Sequence, residues 1–305
     1  MDNPALSRNV AVLGNIHHGA FPLPVSLEGK TLLLDMLIES TRTEPWNLSK
    51  DVRYTDTTVA EQERGISITS TPISLVLPDS RSKSHLINFL DTSRSPARSP
   101  PVVPFLSSPL GLRICDGALI CIDAVEGVML NTERCIRQAL AHGLPLAVVF
   151  TKMDRLITDL KLPPGDAYYK LVAMLEDVNT IIDACVPGAP RVNPLNGNVV
   201  FCSARHRWSF TLQSFARHYS RLHENRLPVD ALARRLWGNV WFNYQTRRFE
   251  GKTADSRAPR SFVQFCLEPM CDSSSSLTQM EGLRAGARQR GLPAAPRPRN
   301  APHLP

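Results

Sequence analysis

The chain has 305 residues, 43% hydrophobic and 21% charged, enough for one large globular domain or two ordinary ones. No apolar run reaches the ~18 residues of a membrane-spanning helix, and "MDNPALSRNV" has no basic-then-apolar leader pattern. The seven cysteines (115, 121, 135, 185, 202, 266 and 271) are scattered without a CxxC pair, which argues against a zinc site or a disulfide framework and makes cytosol or nucleus the default. The net charge of +7 raises a nucleic-acid reading. Much of it sits on Arg94 and Arg98 in residues 93–110 and on five arginines in residues 271–305. Both stretches are Pro- and Ser-rich, as unfolded chain is. The rest is nearly balanced, so no direct nucleic-acid face is expected.

In chain order, "NVAVLGN" (9–15) reads as a buried parallel strand ending at a glycine. "KTLLLDMLIEST" (30–41) reads as a helix with an apolar face at 33, 34, 37 and 38. An apolar strand follows within "STPISLVLPD" (70–79), at an edge. "HLINFLD" (85–91), "GALICIDA" (117–124), "PLAVVFTKMD" (145–154) and "NVVFCSA" (198–204) read as further strands. Helices are predicted over 131–143, with a glycine cap, and over 166–185, 210–223 and 229–239. Strands alternating with helices imply an α/β fold with a mostly parallel sheet and helices on both faces. Ligands in such sheets bind beyond the carboxyl ends of the strands.

The chemically suggestive residues fall at such ends. "GNIHHG" (14–19) spaces Gly14 and Gly19 as a phosphate-binding loop does, and Lys30-Thr31 begin a helix as the end of that motif does. Lys30 would meet β/γ-phosphate oxygens and Thr31 would offer Mg²⁺ a hydroxyl, at a helix end that favours anions. Ten residues, Ala20–Gly29, separate the two halves, where the motif has none. "TKMD" (151–154) suits guanine. Asp154 can accept from the N1 and N2 donors, the stem of Lys152 can lie over the base, and Thr151 stands where Asn is commoner. Ser203 and Ala204 in "CSA" would offer backbone N–H groups to guanine O6. In residues 54–79 a Glu/Gln/Arg cluster precedes Gly65 and a hydroxyl-rich run, where Ser67 is the candidate to sense Mg²⁺ and the γ-phosphate. His17 and His18 are read as loop residues rather than metal ligands. Trp208, Trp237 and Trp241 are read as core rather than RNA-stacking residues.

Together "RNVAVLGNIHHG", "KT", "YTDTTVAEQERGISITSTPISLVLPD", "INFLDT", "GLRICDGALICIDAVEGVMLNTERCIRQAL", "TKMDRLITDLKLPPGDAYYKL", "NVVFCSARHRWSFTLQSFARHY" and "RLWGNVWFN" resemble the GTP-binding domain of translocation-type translation GTPases. The paired His17-His18, "STPISLVLPD" and "LKLPPGDAYYKL" are most similar to the spliceosomal branch. The likeness covers about residues 8–92 and 111–270. It implies a P-loop NTPase G domain over 1–270. GTP or GDP would touch Gly14, His18, Gly19, Lys30, Thr31, Asp91, Thr151, Lys152, Asp154, Ser203 and Ala204, with Mg²⁺ near Thr31, Ser67 and Asp91. It also implies U5 small nuclear ribonucleoprotein (snRNP) proteins and RNA as partners, no membrane, and a nuclear location in pre-mRNA splicing, with the cytoplasm as the alternative.

The chain departs from that pattern in three places. Ala20–Gly29 interrupt Gly-Lys-Thr. Asp91-Thr92 lead into Ser93-Arg94 and a stretch with five Pro and five Ser (93–110), where the family continues Pro-Gly-His into a switch helix. Residues 271–305 replace a helix and further domains, and are expected to be a disordered tail. The abrupt edges point to segments foreign to the family, from the gene model or from splicing. The catalytic switch residues are missing, so no catalytic residue is assigned and hydrolysis is expected to be impaired. A non-hydrolysing scaffold or gene-model fragment is the alternative. An elongation factor two-like ribosomal translocase is disfavoured by the branch-specific runs.

Overall fold

The computed structural model describes residues 6–15, 29–41, 53–64, 70–79, 83–92, 111–204, 206–222, 228–243, 246, 248–251 and 259–269. His17, His18, Gly19, Ser67, nearly all of Ala20–Gly29, and the stretches 93–110 and 271–305 lie outside them. The chain divides into two compact units, residues 1–151 with 177–192, and 152–176 with 193–305.

In the first unit five strands bond in the order β2-β3-β1-β4-β5. They are β1 (Ser7–Gly14), β2 (Thr71–Pro78), β3 (Ser84–Asp91), β4 (Gly117–Asp123) and β5 (Leu146–Thr151). β3, β1, β4 and β5 run parallel, and β2 is antiparallel to β3. The parallel strands are apolar on both faces, as a covered sheet requires: Ala11, Val12, Ile120 and Phe150 are all fully buried. β2 instead alternates buried Ile73 and Leu75 with exposed Ser74 and Val76, a half-solvated strand beside β3. The registers Val12↔Asp91 and Asp123↔Thr151 bring Asp91 and Thr151 to the carboxyl ends of their strands.

Helix α1 (Gly29–Thr41) packs against β1, β2, β4 and β5. Its burial differs from the single apolar face expected. Residues 30–36 and Ile38 are all buried, while Leu37 is only half-buried. A helix covered on nearly every side carries no clean 3.6-residue stripe. The short α2 (Val59–Arg64) follows. Helix α3 (Leu130–Ala141) buries Thr132, Ile136 and Ala139 and packs on β1, β4 and β5.

The second unit holds a short helical turn, α4 (Arg155–Thr158), and the first part of α5 (Pro164–Cys185). It continues with the antiparallel pair β6 (Val199–Ser203) and β7 (Trp208–Phe210), then α6 (Leu212–Leu222) and α7 (Val229–Leu236). A second hairpin, β8 (Trp241–Asn243) and β9 (Arg248–Glu250), precedes a π-helical turn at Val263–Leu267. Aromatic rings make this core. Phe262 and Phe201 are fully buried, with ring centroids 5.1 Å apart. Phe262 also meets Trp237 edge-on at 5.0 Å and Tyr168 at 5.8 Å. Trp208 stacks on Phe210 at 5.6 Å. Two of the three tryptophans weighed as RNA-stacking candidates are therefore committed to ring packing inside the protein. Trp241 lies beneath the Arg260 guanidinium, 5.6 Å from its ring centroid.

Phe262→Ala removes the ring on which Tyr168, Phe201 and Trp237 converge. A loss of about 3–5 kcal/mol of stability is expected, read as a lower urea midpoint in tryptophan fluorescence. An unchanged midpoint would place residues 259–269 outside the cooperative core.

Candidate functional site

The first unit builds a corner suited to phosphate. β1 ends at Gly14, where a Cβ would lie 3.2 Å from the Cys121 carbonyl oxygen, a tight approach that a side chain could take only if the neighbour gave by a few tenths of an ångström. α1 begins at Gly29, where a Cβ would stand 2.5 Å from Thr151 Oγ1. The sequence reading paired Gly19 with Lys30-Thr31 and placed Gly29 in the insert. Removing Ala20–Gly29 or Gly19–Glu28 leaves the same sequence, and the structure seats Gly29 before Lys30. Lys30 Nζ lies 2.6 Å from Asp91 Oδ1, with both side chains buried. It also donates to the Thr92 carbonyl oxygen, and the Thr92 hydroxyl donates to the Val12 carbonyl at 2.8 Å. The Asp91 contact is an ion pair by distance. Neither carboxylate oxygen, both buried, accepts a hydrogen bond of normal geometry. Thr31 is buried beside Lys30 on the first turn of α1.

Sequence reasoning missed an acid in this unit. Asp35 is 1% exposed. Its Oδ1 accepts from the Tyr54 N–H at 3.3 Å, and Oδ2 lies 3.7 Å from Arg53 Nη1. Burial pushes its carboxyl up to about 6, against the pull of the Tyr54 N–H and Arg53, while Asp56 and Asp91 add to the rise. An Asp within the otherwise apolar "LLLDML" was the available signal.

The second unit builds a corner suited to a guanine edge. Lys152 takes a left-handed backbone, φ 56°, a conformation that costs a non-glycine residue free energy and concentrates at functional loops. The Met153 N–H donates to the Cys202 carbonyl at 3.2 Å, tying residues 152–154 to the end of β6. Ser203 Oγ, fully buried, donates to Asp154 Oδ1 at 2.5 Å. His206 Nε2 stands 3.8 Å from Asp154 Oδ2, and the His206 N–H points to Ser203 Oγ at 3.4 Å. The structure thus brings Lys152, Asp154, Ser203 and buried Ala204 together. It also gives the Ser203 side chain a contact with Asp154 that the sequence reading, which used only the backbone N–H groups of 203–204, did not foresee, and it adds His206. Thr151 ends β5 in the first unit, buried, its hydroxyl donating to the Ile122 carbonyl at 3.2 Å. Among the described residues, no group of three or more His, Cys, Asp or Glu is placed to hold a metal ion.

A family model described as the elongation factor Tu GTP binding domain matches residues 6–236. The chain belongs to this family. Over 277 residues it is 49% identical to the 109 kDa U5 small nuclear ribonucleoprotein component GFL of Arabidopsis thaliana, covering 88% of this chain and 27% of that protein. The 110 kDa U5 component CLO of the same plant is 48% identical, over 88% of this chain and 26% of its own length. The pre-mRNA-splicing factor cwf10 of Schizosaccharomyces pombe is 39% identical, over 86% and 25%. The resemblance to the spliceosomal branch is borne out, and the chain spans about a quarter of the length of these relatives.

Asp35 gives a pH signature. Its folded pKa, about 6, exceeds the ordinary 3.8, so the native state binds this proton more tightly than the unfolded chain does. The stability it contributes is full below 3.8 and is lost as pH rises toward about 6. Asp35→Asn removes that loss. Urea titrations of both proteins across this window are expected to show a downward slope with pH in the wild type that is shallower in the variant.

Proposed function

We propose that this chain is the GTP-binding domain of a spliceosomal U5 snRNP GTPase acting in pre-mRNA splicing, with impaired hydrolysis. The observation that carries the nucleotide reading is the pair of corners: Gly29-Lys30-Thr31 against Asp91, and Asp154 held by Ser203. The residues fit the group. Two buried carboxylate oxygens of Asp91 lack aligned donors, and glycines stand where side chains would crowd the corner.

When bound, GTP brings the γ-phosphoryl group, and Mg²⁺ neutralises charge on its oxygens. Lys30 would hold the β/γ-phosphate oxygens by its positive charge, in place of its present contact with Asp91. Thr31 and Asp91 are the residues of this corner suited to Mg²⁺. Asp154 accepts from guanine N1 and N2, and Ser203 fixes the orientation of its carboxylate. Hydrolysis also needs a positioned water and a sensor of the γ-phosphate. After Asp91-Thr92 this chain reads Ser93-Arg94, not the Pro-Gly-His of the family it resembles, so slow turnover follows. The names of the similar proteins support U5 snRNP proteins and RNA as partners and the nucleus as the location. The interrupted phosphate loop favours a second reading, a scaffold that holds nucleotide without switching.

Titration with fluorescent GDP and GTP, followed by phosphate release, tests this reading. Saturable guanine-nucleotide binding with little turnover is expected. Lys30→Ala is expected to weaken binding about tenfold to a hundredfold, the worth of a charge-assisted hydrogen bond. Brisk turnover would overturn the impaired-hydrolysis reading. Asp154→Asn presents a donor where guanine N1 and N2 also donate, and is expected to shift preference toward xanthosine nucleotides about a hundredfold or more. Unaltered base preference would remove Asp154 from the site. Recovery of U5 RNA, rather than ribosomes, with the tagged chain checks the proposed partners.

A further inference from the structure

The last ladder pair of β1 is Gly14 with Cys121. Asn15 is the first residue beyond it, and sheet bonding no longer holds the backbone there. Asn131, in the first turn of α3 and 116 positions away, donates from Nδ2 to Asn15 Oδ1 at 3.0 Å. One helical turn further on, Cys135 shares that face of the helix. Burial raises its thiol above the ordinary value, with Lys30 and the Gly14 backbone pulling the other way. Thr132, Ile136 and Ala139 on the same helix are buried. Turning α3 to release Asn15 would therefore disturb packed side chains as well. Gly14 is approached on another side by Cys121, whose carbonyl oxygen would lie 3.2 Å from a Cβ there, a tight fit.

We propose that Asn131 is a positioning residue, which pins Asn15 at the start of the phosphate loop and so sets how fast a guanine nucleotide leaves. The inference rests on the nucleotide reading given above and extends it to a helix that supplies none of the nucleotide-contacting residues assigned there. Asn131 touches no phosphate. It acts through Asn15, by holding the backbone of residues 14–15 in one arrangement before a ligand arrives, which lowers the ordering cost of binding. It also gives α3 a lever on the phosphate corner, because displacement of this helix loosens the loop start without touching Lys30 or Thr31.

The test uses the full chain and four proteins: wild type, Asn131→Ala, Asn15→Ala and the double variant. Release of fluorescent GDP is followed after mixing with excess unlabelled GDP. Each single variant is expected to speed release about five- to tenfold, the effect of losing one hydrogen bond. The double variant is expected to be no faster than either single one, because both remove the same contact. Melting temperatures serve as the control, and Asn15→Ala, just past the strand, tests the contact should Asn131→Ala disturb α3. Unchanged release in a variant with wild-type melting, or fully additive effects, would overturn the proposal. Amide hydrogen exchange at Asn15 without nucleotide is the independent arm. It is expected to quicken in Asn131→Ala, and an unchanged rate counts against the pin. A wild type that fails to bind guanine nucleotide overturns the functional reading, and the exchange arm then decides the pin alone.

Discussion

The first unit is organised around a buried ion pair. Lys30 and Asp91 lie 61 positions apart in the sequence yet 2.6 Å apart in space, both out of water. Taking two charges out of water costs several kcal/mol each, recovered only when each is the other's close partner. Removing either partner leaves a bare charge in the interior, so the pair locks the start of α1 to the end of β3. The Thr92 carbonyl and the Val12 backbone extend the lock across β1. The corner is thereby preassembled, with its positive charge already occupied. On the proposed reading, an incoming phosphate would have to outcompete a carboxylate for Lys30, and tight binding would depend on what Asp91 gained in exchange.

Much of this was legible in the sequence. Apolar runs bounded by Gly, Asp and Thr gave the parallel strands to within a few residues, because a sheet covered on both faces needs uninterrupted apolar side chains. Family motifs singled out Lys30, Thr31, Asp91 and Asp154, and the structure pairs Lys30 with Asp91 and Asp154 with Ser203. What failed to show was of two kinds. The apolar face assigned to α1 missed Leu32, Asp35 and Met36, because periodicity disappears when a helix is buried all round. An acid in such a helix also reads as an outward-facing residue, so Asp35 passed unnoticed. The second kind is contact at a distance. Nothing local in "CSARHRW" says that the Ser203 hydroxyl and the His206 ring face Asp154, 49 and 52 positions upstream. Nor does Asn131 announce Asn15. β7, only three residues long, was too short for a period-2 signal.

The second unit shows that a family boundary and a folding boundary need not coincide. The matched family ends at residue 236, yet Trp237 and Phe262 fill the space between Tyr168 and Phe201. Arg260 caps the group, its guanidinium 4.6 Å from the Tyr169 ring centroid and 5.2 Å from that of Tyr168. Cation–π contacts of this kind add roughly 0.5–1 kcal/mol each at exposed sites. Residues beyond the match are therefore interior material of this unit, with the same standing as the strand residues they cover.

Gly29 carries a different consequence. It stands fifteen positions from Gly14, where Gly19 stands only five away. By chain statistics, tripling the length of a connection adds about 1 kcal/mol of closure entropy, little beside the packing that holds α1. Because a glycine stands at the insert's far edge, the helix still begins with Gly-Lys-Thr and its register survives. The interruption thus falls ahead of the buried first turn of α1, and Lys30 keeps its place beside Asp91. A helix fixed by its own packing takes its position from the sheet it covers, and owes little to the length of chain that leads into it.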